Sequence, residues 1–188
     1  AKPRGWTERN APAANPTALG TNSSAWTVDG FLNSGTTGAV RNQVPANSVA
    51  TQGWTITPGI DLGDVSHTTF FEWNMGMTLA NGTQAAVMGS DDSLLVLIST
   101  DNGSTWNRSQ ALAKYHRNSG LSPFGGTYSV NLSAYTGLVK IAFYLESLTN
   151  SSTQIGTVDY ELFIDNTALK ATAAPCPAAA LSITSTTS

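Results

Sequence analysis

The hydrophobic and polar positions of this chain alternate or form short blocks, and Gly, Asn, Ser, Asp and Pro separate the blocks. Alternation is typical of half-buried β-strands, whereas the 3.6-residue period of an amphipathic helix is almost absent. The pattern predicts strands at 25–28, 38–41, 53–57, 68–75, 94–99, 106–112, 128–132, 139–146 and 158–164, the last continuing to about residue 169. Short strands with turns between them favour an all-β fold, an antiparallel sandwich of two sheets.

The phase of the alternation separates a core face from an outer face in each long strand. One face is apolar in the segments around residues 70, 142 and 161, and its members are Phe71, Trp73 and Met75; Ile141, Phe143 and Leu145; and Val158, Tyr160, Leu162 and Ile164. The opposite face mixes acidic, amide and aromatic side chains. The run "LLVLI" (94–98) is apolar on both faces, which predicts a central strand.

The length of 188 residues fits one domain of ordinary size or one domain plus a tail. We expect an extended N-terminal segment over 1–24 and one binding domain over 25–171. The Pro- and Ala-rich stretch 172–188 is interpreted as a linker and the start of a truncated following module. Flanking domains of the same chain are therefore expected partners.

The amino-acid composition indicates where the protein is located and which partners are not expected. Charged residues make up only 11% of the chain, and the abundance of Ser, Thr, Asn and Gly is common in secreted β-proteins. A net charge of −3 without a basic stripe argues against nucleic acid as a partner. No run of 18 apolar residues occurs, so membrane insertion is not expected. The single cysteine, Cys176, has no internal disulfide partner. We expect a secreted or cell-surface protein.

The stretch "STDNGSTW" (99–106) resembles the Asp-box of bacterial sialidases and other β-propeller glycan enzymes. Asn102-Gly103 suits a two-residue hairpin turn that pairs Ser99 with Trp106, and Asp101 is placed to accept hydrogen bonds from the turn backbone. A propeller of six blades, at roughly 40–50 residues per blade, does not fit this length. The motif also occurs once, so it predicts a hairpin and not a sugar hydrolase.

The ordered segments "WTVDGF", "GWTITPGIDLGD", "DDSLLVLISTDNGSTW", "YSVNLSAYTGLVKIAFYLES" and "YELFIDNTAL" resemble MAM-like jelly-roll domains. More narrowly, they resemble the cleaved-adhesin domains of gingipain-type proteins and related surface modules of Bacteroidetes. The resemblance spans roughly residues 25–170. It implies a secreted jelly-roll β-sandwich, commonly with bound calcium, within a larger multidomain adhesin or enzyme.

A structural calcium ion would need several oxygen ligands. The candidate ligands are Asp29 after the first strand, Asp92 before the strand of residues 94–99, and Asp165 at the end of the last strand. Asp29 and Asp165 are the better pair, since the first and last strands of a jelly roll commonly lie close. The alternative is that Asp29-Gly30 and Asp165-Asn166 are turn formers without a metal.

The outer face supplies the candidate ligand-binding residues, which are Glu72, Asn74, Tyr144, Glu146 and Glu161. An aromatic ring that stacks on a sugar, beside polar groups that bond its hydroxyls, predicts a non-catalytic module that binds polysaccharide. The alternative is that the outer-face aromatics, Tyr144 with Phe70 and Phe163, cover a second, smaller hydrophobic layer under a loop.

Three other functions stay open at this point. One is a protein-binding adhesin domain that recognises a host or matrix protein, and another is a structural spacer. A glycoside hydrolase is the third, and it would need two of Glu72, Glu146, Asp159 and Glu161 roughly 5–10 Å apart in a cleft. His67 and His116 lack partners at metal-ligand spacing and are expected to be surface histidines.

Overall fold

The computed structural model describes residues 4–10, 19, 26–44, 51–64, 68–122, 124–147 and 159–172. Within these ranges the chain forms eleven strands and two single-turn 3₁₀ segments, Phe31–Asn33 and Arg108–Gln110. The strands are β1 (Thr7–Asn10), β2 (Trp26–Asp29), β3 (Ala39–Val44), β4 (Thr51–Ile56), β5 (Ile60–Asp61), β6 (Thr68–Leu79), β7 (Asp92–Ser99), β8 (Ala113–His116), β9 (Gly126–Asn131), β10 (Leu138–Ser147) and β11 (Tyr160–Thr172).

The strands form two antiparallel sheets. The first sheet has the order β1-β4-β10-β7-β8, with β5 also paired to β10, and the second has the order β2-β3-β11-β6-β9. The chain alternates between the sheets so that β4-β10-β7-β8 faces β3-β11-β6-β9, which is the eight-strand order of a jelly roll. The predicted all-β, two-sheet jelly-roll sandwich is confirmed.

The core lies between the sheets and contains the residues that the alternation assigned to it. Phe71, Trp73, Met75, Ile141, Phe143, Leu145, Tyr160, Leu162 and Ile164 are each at most 3% exposed and belong to one hydrophobic cluster. Trp73 of the second sheet meets Phe143 of the first edge to face, with ring centroids 5.3 Å apart. Such contacts hold the sheets together. The strand β7, apolar on both faces, is central as predicted, between β10 and β8. Val158 lies outside the described residues.

The predicted strand at 106–112 is wrong. After β7 the chain makes a long connection, and pairing resumes only at β8, where Ala113 lies opposite Val96. Trp106 is 4% exposed on this connection. Trp106 is buried against the outer face of the first sheet. Hydrophobic periodicity alone does not distinguish such a covering segment from a paired strand.

The segment predicted as an N-terminal extension contributes to the sandwich. Its residues Thr7–Asn10 form β1, which pairs antiparallel with β4 at the edge of the first sheet. Next to it, Trp6 stacks on Phe143, with ring centroids 6.2 Å apart and planes inclined by 7°.

The Asp-box turn has the predicted backbone but not the predicted hairpin pairing. Asn102 and Gly103 both have positive φ, at 61° and 87°. The Asp101 carboxylate accepts hydrogen bonds from Ser99 Oγ at 2.6 Å, Thr105 Oγ1 at 2.6 Å, and the backbone N–H groups of Ser104 and Thr105 at 3.0 Å. These bonds, with that from Ser99 the largest contributor, hold the pKa of Asp101 well below its usual range.

Within the described ranges, the structure contains no helix with the length and apolar character that crossing a membrane requires.

Candidate functional site

The five predicted ligand-binding residues do not share one face, so that prediction is wrong. Glu72, Asn74 and Glu161 lie on the outer face of the second sheet, whereas Tyr144 and Glu146 lie on the outer face of the first. The alternation identifies the outward side of a strand, but the sheet to which the strand belongs depends on long-range pairing.

The connection between β7 and β8 covers the centre of the outer face of the first sheet. The Tyr144 ring is fully buried and packs on Trp54, with centroids 4.5 Å apart, and Trp106 lies 5.6 Å from Trp54. Arg108, on the same connection, lies 5.4 Å from the Tyr144 ring and forms an ion pair with buried Glu146. Burial raises the pKa of the Tyr144 hydroxyl. The alternative of a small hydrophobic layer under a loop is therefore the observed one for Tyr144.

Glu161 is also inaccessible to a ligand. Its side chain is 0% exposed, and its two carboxylate oxygens accept hydrogen bonds from Arg41 at 2.5 Å and from Asn33 Nδ2 at 2.6 Å. Asn33 belongs to the 3₁₀ turn that follows β2, and its amide also donates to Thr78 Oγ1 and to the carbonyl oxygen of Gly82. The buried carboxylate therefore fastens this turn onto the sheet.

The same turn covers one half of the outer face of the second sheet. A Cβ at Gly76 would lie 2.7 Å from Leu32 Cδ2 and 3.0 Å from Gly125 Cα, so only glycine lets the two loops approach the strand. Phe31 packs edge to face on Phe163 at 6.3 Å. This half of the face is closed.

The other half is open, and we call it the outer strip. It is defined by side chains that lie in register on β9, β6 and β11: Phe70, Glu72, Asn74, Thr127, Ser129, Asn131, Ala168 and Lys170. Lys170 Nζ lies 3.3 Å from Glu72 Oε2, and Thr127 Oγ1 donates to Asn74 Oδ1 at 3.0 Å. Phe70 is partly exposed. Phe124, two residues before β9, is 79% exposed beside the closed half.

Several members of the outer strip were missed by sequence reasoning. Ser129 and Asn131 carried a usable signal, because they alternate with the inward Val130 in a strand that was predicted. Lys170 carried none, because a β-bulge between Asp165 and Ala168 shifts the phase of β11 before Lys170 is reached.

The three candidate calcium ligands do not come together. Asp29 lies on β2 and Asp165 on β11, and β3 lies between these strands, so their backbones are two strand spacings of ~4.8 Å apart. Asp29 is also ion-paired with Arg41 at 3.2 Å. Asp92 belongs to the first sheet. In the described part of the chain no three His, Cys, Asp or Glu side chains form a group suited to a metal ion. These residues do not fit a calcium site by themselves, and calcium stays a prediction.

Asp92 instead forms a buried polar contact with the second sheet. It is 5% exposed, and its Oδ2 accepts hydrogen bonds from Tyr160 Oη at 2.9 Å and from the Gly89 N–H at 3.0 Å. Burial raises the pKa of the Asp92 carboxyl above its usual range, and the neighbouring Asp91 adds to this effect.

This shift predicts a pH-dependent effect of Asp92→Asn. A carboxyl whose folded-state pKa is raised stabilises the fold below its unfolded-state pKa, and that contribution is lost as pH rises through the folded-state pKa. We therefore expect the stability of D92N relative to the parent protein to increase from about pH 3 towards neutrality. Urea unfolding at a series of pH values measures this difference.

Tyr160→Phe is the matched variant, because it removes a hydroxyl that donates to the ionised carboxylate. Its stability should fall more steeply with pH than that of the parent. Parallel pH profiles for the parent and D92N would contradict the assignment.

Comparison with known proteins finds distant structural likenesses only. No family model and no curated protein matches the chain. The solved structures that it resembles include TmCBM61 in complex with β-1,4-galactotriose, with 10% identity, 90% of each chain covered and a TM-score of 0.46. The N-terminal cellulose-binding domain of Cellulomonas fimi β-1,4-glucanase C has 14% identity, 92% of each chain covered and a TM-score of 0.43.

A third likeness is the K1 cleaved adhesin domain of Lys-gingipain from Porphyromonas gingivalis W83. It has 16% identity, covers 92% of this chain and 88% of that one, and has a TM-score of 0.42. The strand order of this chain establishes its jelly-roll fold, and its likeness to carbohydrate-binding modules and to a cleaved adhesin domain is distant.

Proposed function

We propose that this chain is a non-catalytic module that binds polysaccharide across the outer strip. The observation that carries the proposal is the contrast between the two outer faces. The centre of the first is covered by Trp106 and Arg108, whereas on the second a partly exposed aromatic ring lies in register with uncovered polar side chains.

The chemistry of the outer strip suits a sugar. The Phe70 ring offers an apolar surface for one face of a pyranose, and the Glu72 carboxylate and Asn74 amide are planar groups that bond hydroxyls. Asn74 Oδ1 already accepts from Thr127, so its NH₂ group is the part that a ligand hydroxyl would meet. The strip is shallow and buries little of a ligand, so we expect single-site affinity on the order of micromolar to millimolar.

The positions of the carboxylates support a non-catalytic role. A glycosidase needs two carboxylates that reach the same bond. Glu146 and Glu161 are 1% and 0% exposed, are ion-paired, and lie on opposite sheets. Glu72 is already held by Lys170.

His116 is exposed on the edge strand β8, as expected of a surface histidine, and His67 lies outside the described residues.

We place the module in a secreted or cell-surface multidomain protein, on the composition of the chain and on the linker-like stretch at 172–188. Residues 173–188, which include Cys176, lie outside the described part of the structure. Neighbouring modules would raise a weak affinity through effective concentration.

Titration with soluble β-1,4-linked oligosaccharides, followed by backbone amide shifts in NMR spectra, tests the proposal. We expect shifts at Glu72, Asn74 and Ser129. Phe70→Ala should weaken binding roughly tenfold, or ~1.4 kcal/mol, through loss of the stacking surface. Leu138→Ala, which truncates an apolar side chain that is 51% exposed on β10, is the control and should leave binding unchanged.

Shifts confined to other surfaces, or none with any glycan, would overturn the proposal. The protein-binding adhesin domain or the structural spacer would then take its place.

A further inference from the structure

A second surface feature lies away from the outer strip, beside the Asp-box turn. It is a pocket of about 150 Å³ between the β7–β8 and β9–β10 connections, and its lining includes Ser99, Thr100, Thr105, Asn107, Gln110 and Tyr135. These side chains are polar and neutral, and Ile98, which also lines the pocket, is apolar. A pocket without charged side chains in its lining is poorly suited to an ion and well suited to a neutral ligand rich in hydroxyl groups.

We propose that this pocket binds a single neutral sugar residue, as a site separate from the outer strip. Its volume is below the roughly 300–1,000 Å³ of pockets that hold drug-sized ligands. It therefore suits one sugar ring and not an oligosaccharide.

The polar groups of the pocket are held in place before any ligand arrives. Ser99 Oγ donates to Asp101 Oδ1 at 2.6 Å and accepts from the Gly103 N–H at 2.8 Å. Thr105 Oγ1 donates to Asp101 Oδ2 at 2.6 Å. The hydroxyl protons of both residues are thus committed to Asp101, and the lone pair of Thr105 Oγ1 remains as an acceptor.

Gln110, which also lines the pocket, supplies a donor. Asn107 Oδ1 accepts from the backbone N–H and the hydroxyl of Ser109, and Asn107 Nδ2 donates to Gln110 Oε1 at 3.0 Å. Because its carbonyl oxygen is used in this bond, Gln110 presents its NH₂ group as a donor. Sugar hydroxyls both donate and accept, so a sugar can pair with the Gln110 donor and the Thr105 acceptor.

Tyr135 supplies an aromatic wall. Its ring is partly buried against the main core, and its backbone N–H donates to the Leu132 carbonyl at 2.9 Å, which fixes the turn that carries it. A fixed ring and fixed polar groups reduce the entropy lost on binding. The Asp-box turn thereby gains a role beyond the turn itself, since Asp101 positions two of the lining hydroxyls.

NMR titration of the protein with glucose, galactose and N-acetylglucosamine, each as the free monosaccharide to about 100 mM, tests the proposal. We expect at least one of them to shift the amides of Thr100, Thr105 and Gln110, with a dissociation constant on the order of millimolar because the pocket is small. Gln110→Ala removes the amide donor of an exposed side chain and should weaken this binding at least threefold, the effect of a lost hydrogen bond of ~0.7 kcal/mol.

Asn118→Ala is the matched control, because it removes an exposed amide that lines neither the pocket nor the outer strip, and it should leave monosaccharide binding unchanged. Tyr135→Phe keeps the ring wall and should keep most of the affinity. The absence of shifts at the pocket with all three sugars, or an unchanged dissociation constant in Gln110→Ala, would overturn this inference. Shifts at the outer strip alone would overturn it too while supporting the proposed function, so the two can fail separately.

Discussion

Replacement of Glu161 by alanine is expected to destabilise the protein by about 3–5 kcal/mol, the cost of breaking a buried ion pair by removing one partner. The carboxylate is fully buried and holds both Arg41 and Asn33. Its loss leaves Asp29 as the carboxylate that the described residues offer to the Arg41 guanidinium, and it removes one of the hydrogen bonds that hold the turn Phe31–Asn33. Chemical unfolding monitored by tryptophan fluorescence measures the change.

Glu72→Ala is the matched control on the same face of the same sheet. Its ion pair with Lys170 is solvent-exposed, with side chains 32% and 62% exposed, so we expect a loss of only about 0–1 kcal/mol. Equal losses of stability for the two variants would contradict this prediction, because they would show that water reaches the Glu161 carboxylate beneath the turn Phe31–Asn33.

Trp54→Ala is the second large expected effect, at about 3–5 kcal/mol for truncation of a buried aromatic side chain. Trp54 is 0% exposed on the outer face of the first sheet and contacts both Tyr144 and Trp106. Its removal opens a cavity beneath the β7–β8 connection. Thermal and urea unfolding measure the loss, and Trp54→Phe, which keeps an aromatic ring there, should lose less.

The double variant Trp54→Ala/Trp106→Ala measures whether these two aromatic side chains contribute to stability together or independently. Aromatic pairs contribute ~0.5–1.5 kcal/mol beyond their area, so the combined loss should fall short of the sum of the single losses by about that amount. Additive losses would mean that Trp106 packs independently of Trp54.

The sequence was sufficient for the core but not for the surface. The alternation in β6, β10 and β11 correctly assigned Trp73, Phe143 and Leu162 to the core between the sheets. Only one side of each strand faces the other sheet, and that side carries the apolar residues. The same alternation placed Glu146 and Glu161 outward, which is correct for each strand alone. Their separation onto opposite sheets follows from the crossing of the chain between sheets, which is a long-range property.

The burial of Tyr144 was unpredictable for a related reason. A strand pattern does not reveal whether a distant loop will cover its outer side, and here a connection that looked like a strand does so through Trp106 and Arg108. In the outer strip, Glu72 and Asn74 were found because no loop covers them, whereas the contribution of Lys170 depends on the bulge in β11.

That bulge also determines how β11 would respond to a change in chain length. Between Asp165 and Ala168 the strand carries one residue more than the facing segment of β6 between Asn74 and Glu72. Asn166, which has a φ of 49°, lies in this irregularity. Deletion of Asn166 would restore simple alternation and still leave Ala168 and Lys170 outward, so this position should accept the loss of a residue. At Phe70, β6 is regularly paired on both sides and has no extra residue. Deletion of Phe70 would therefore move the residues at that end of the strand to the opposite face of the sheet. The outer strip thus contains one strand whose length can vary and one whose length is fixed.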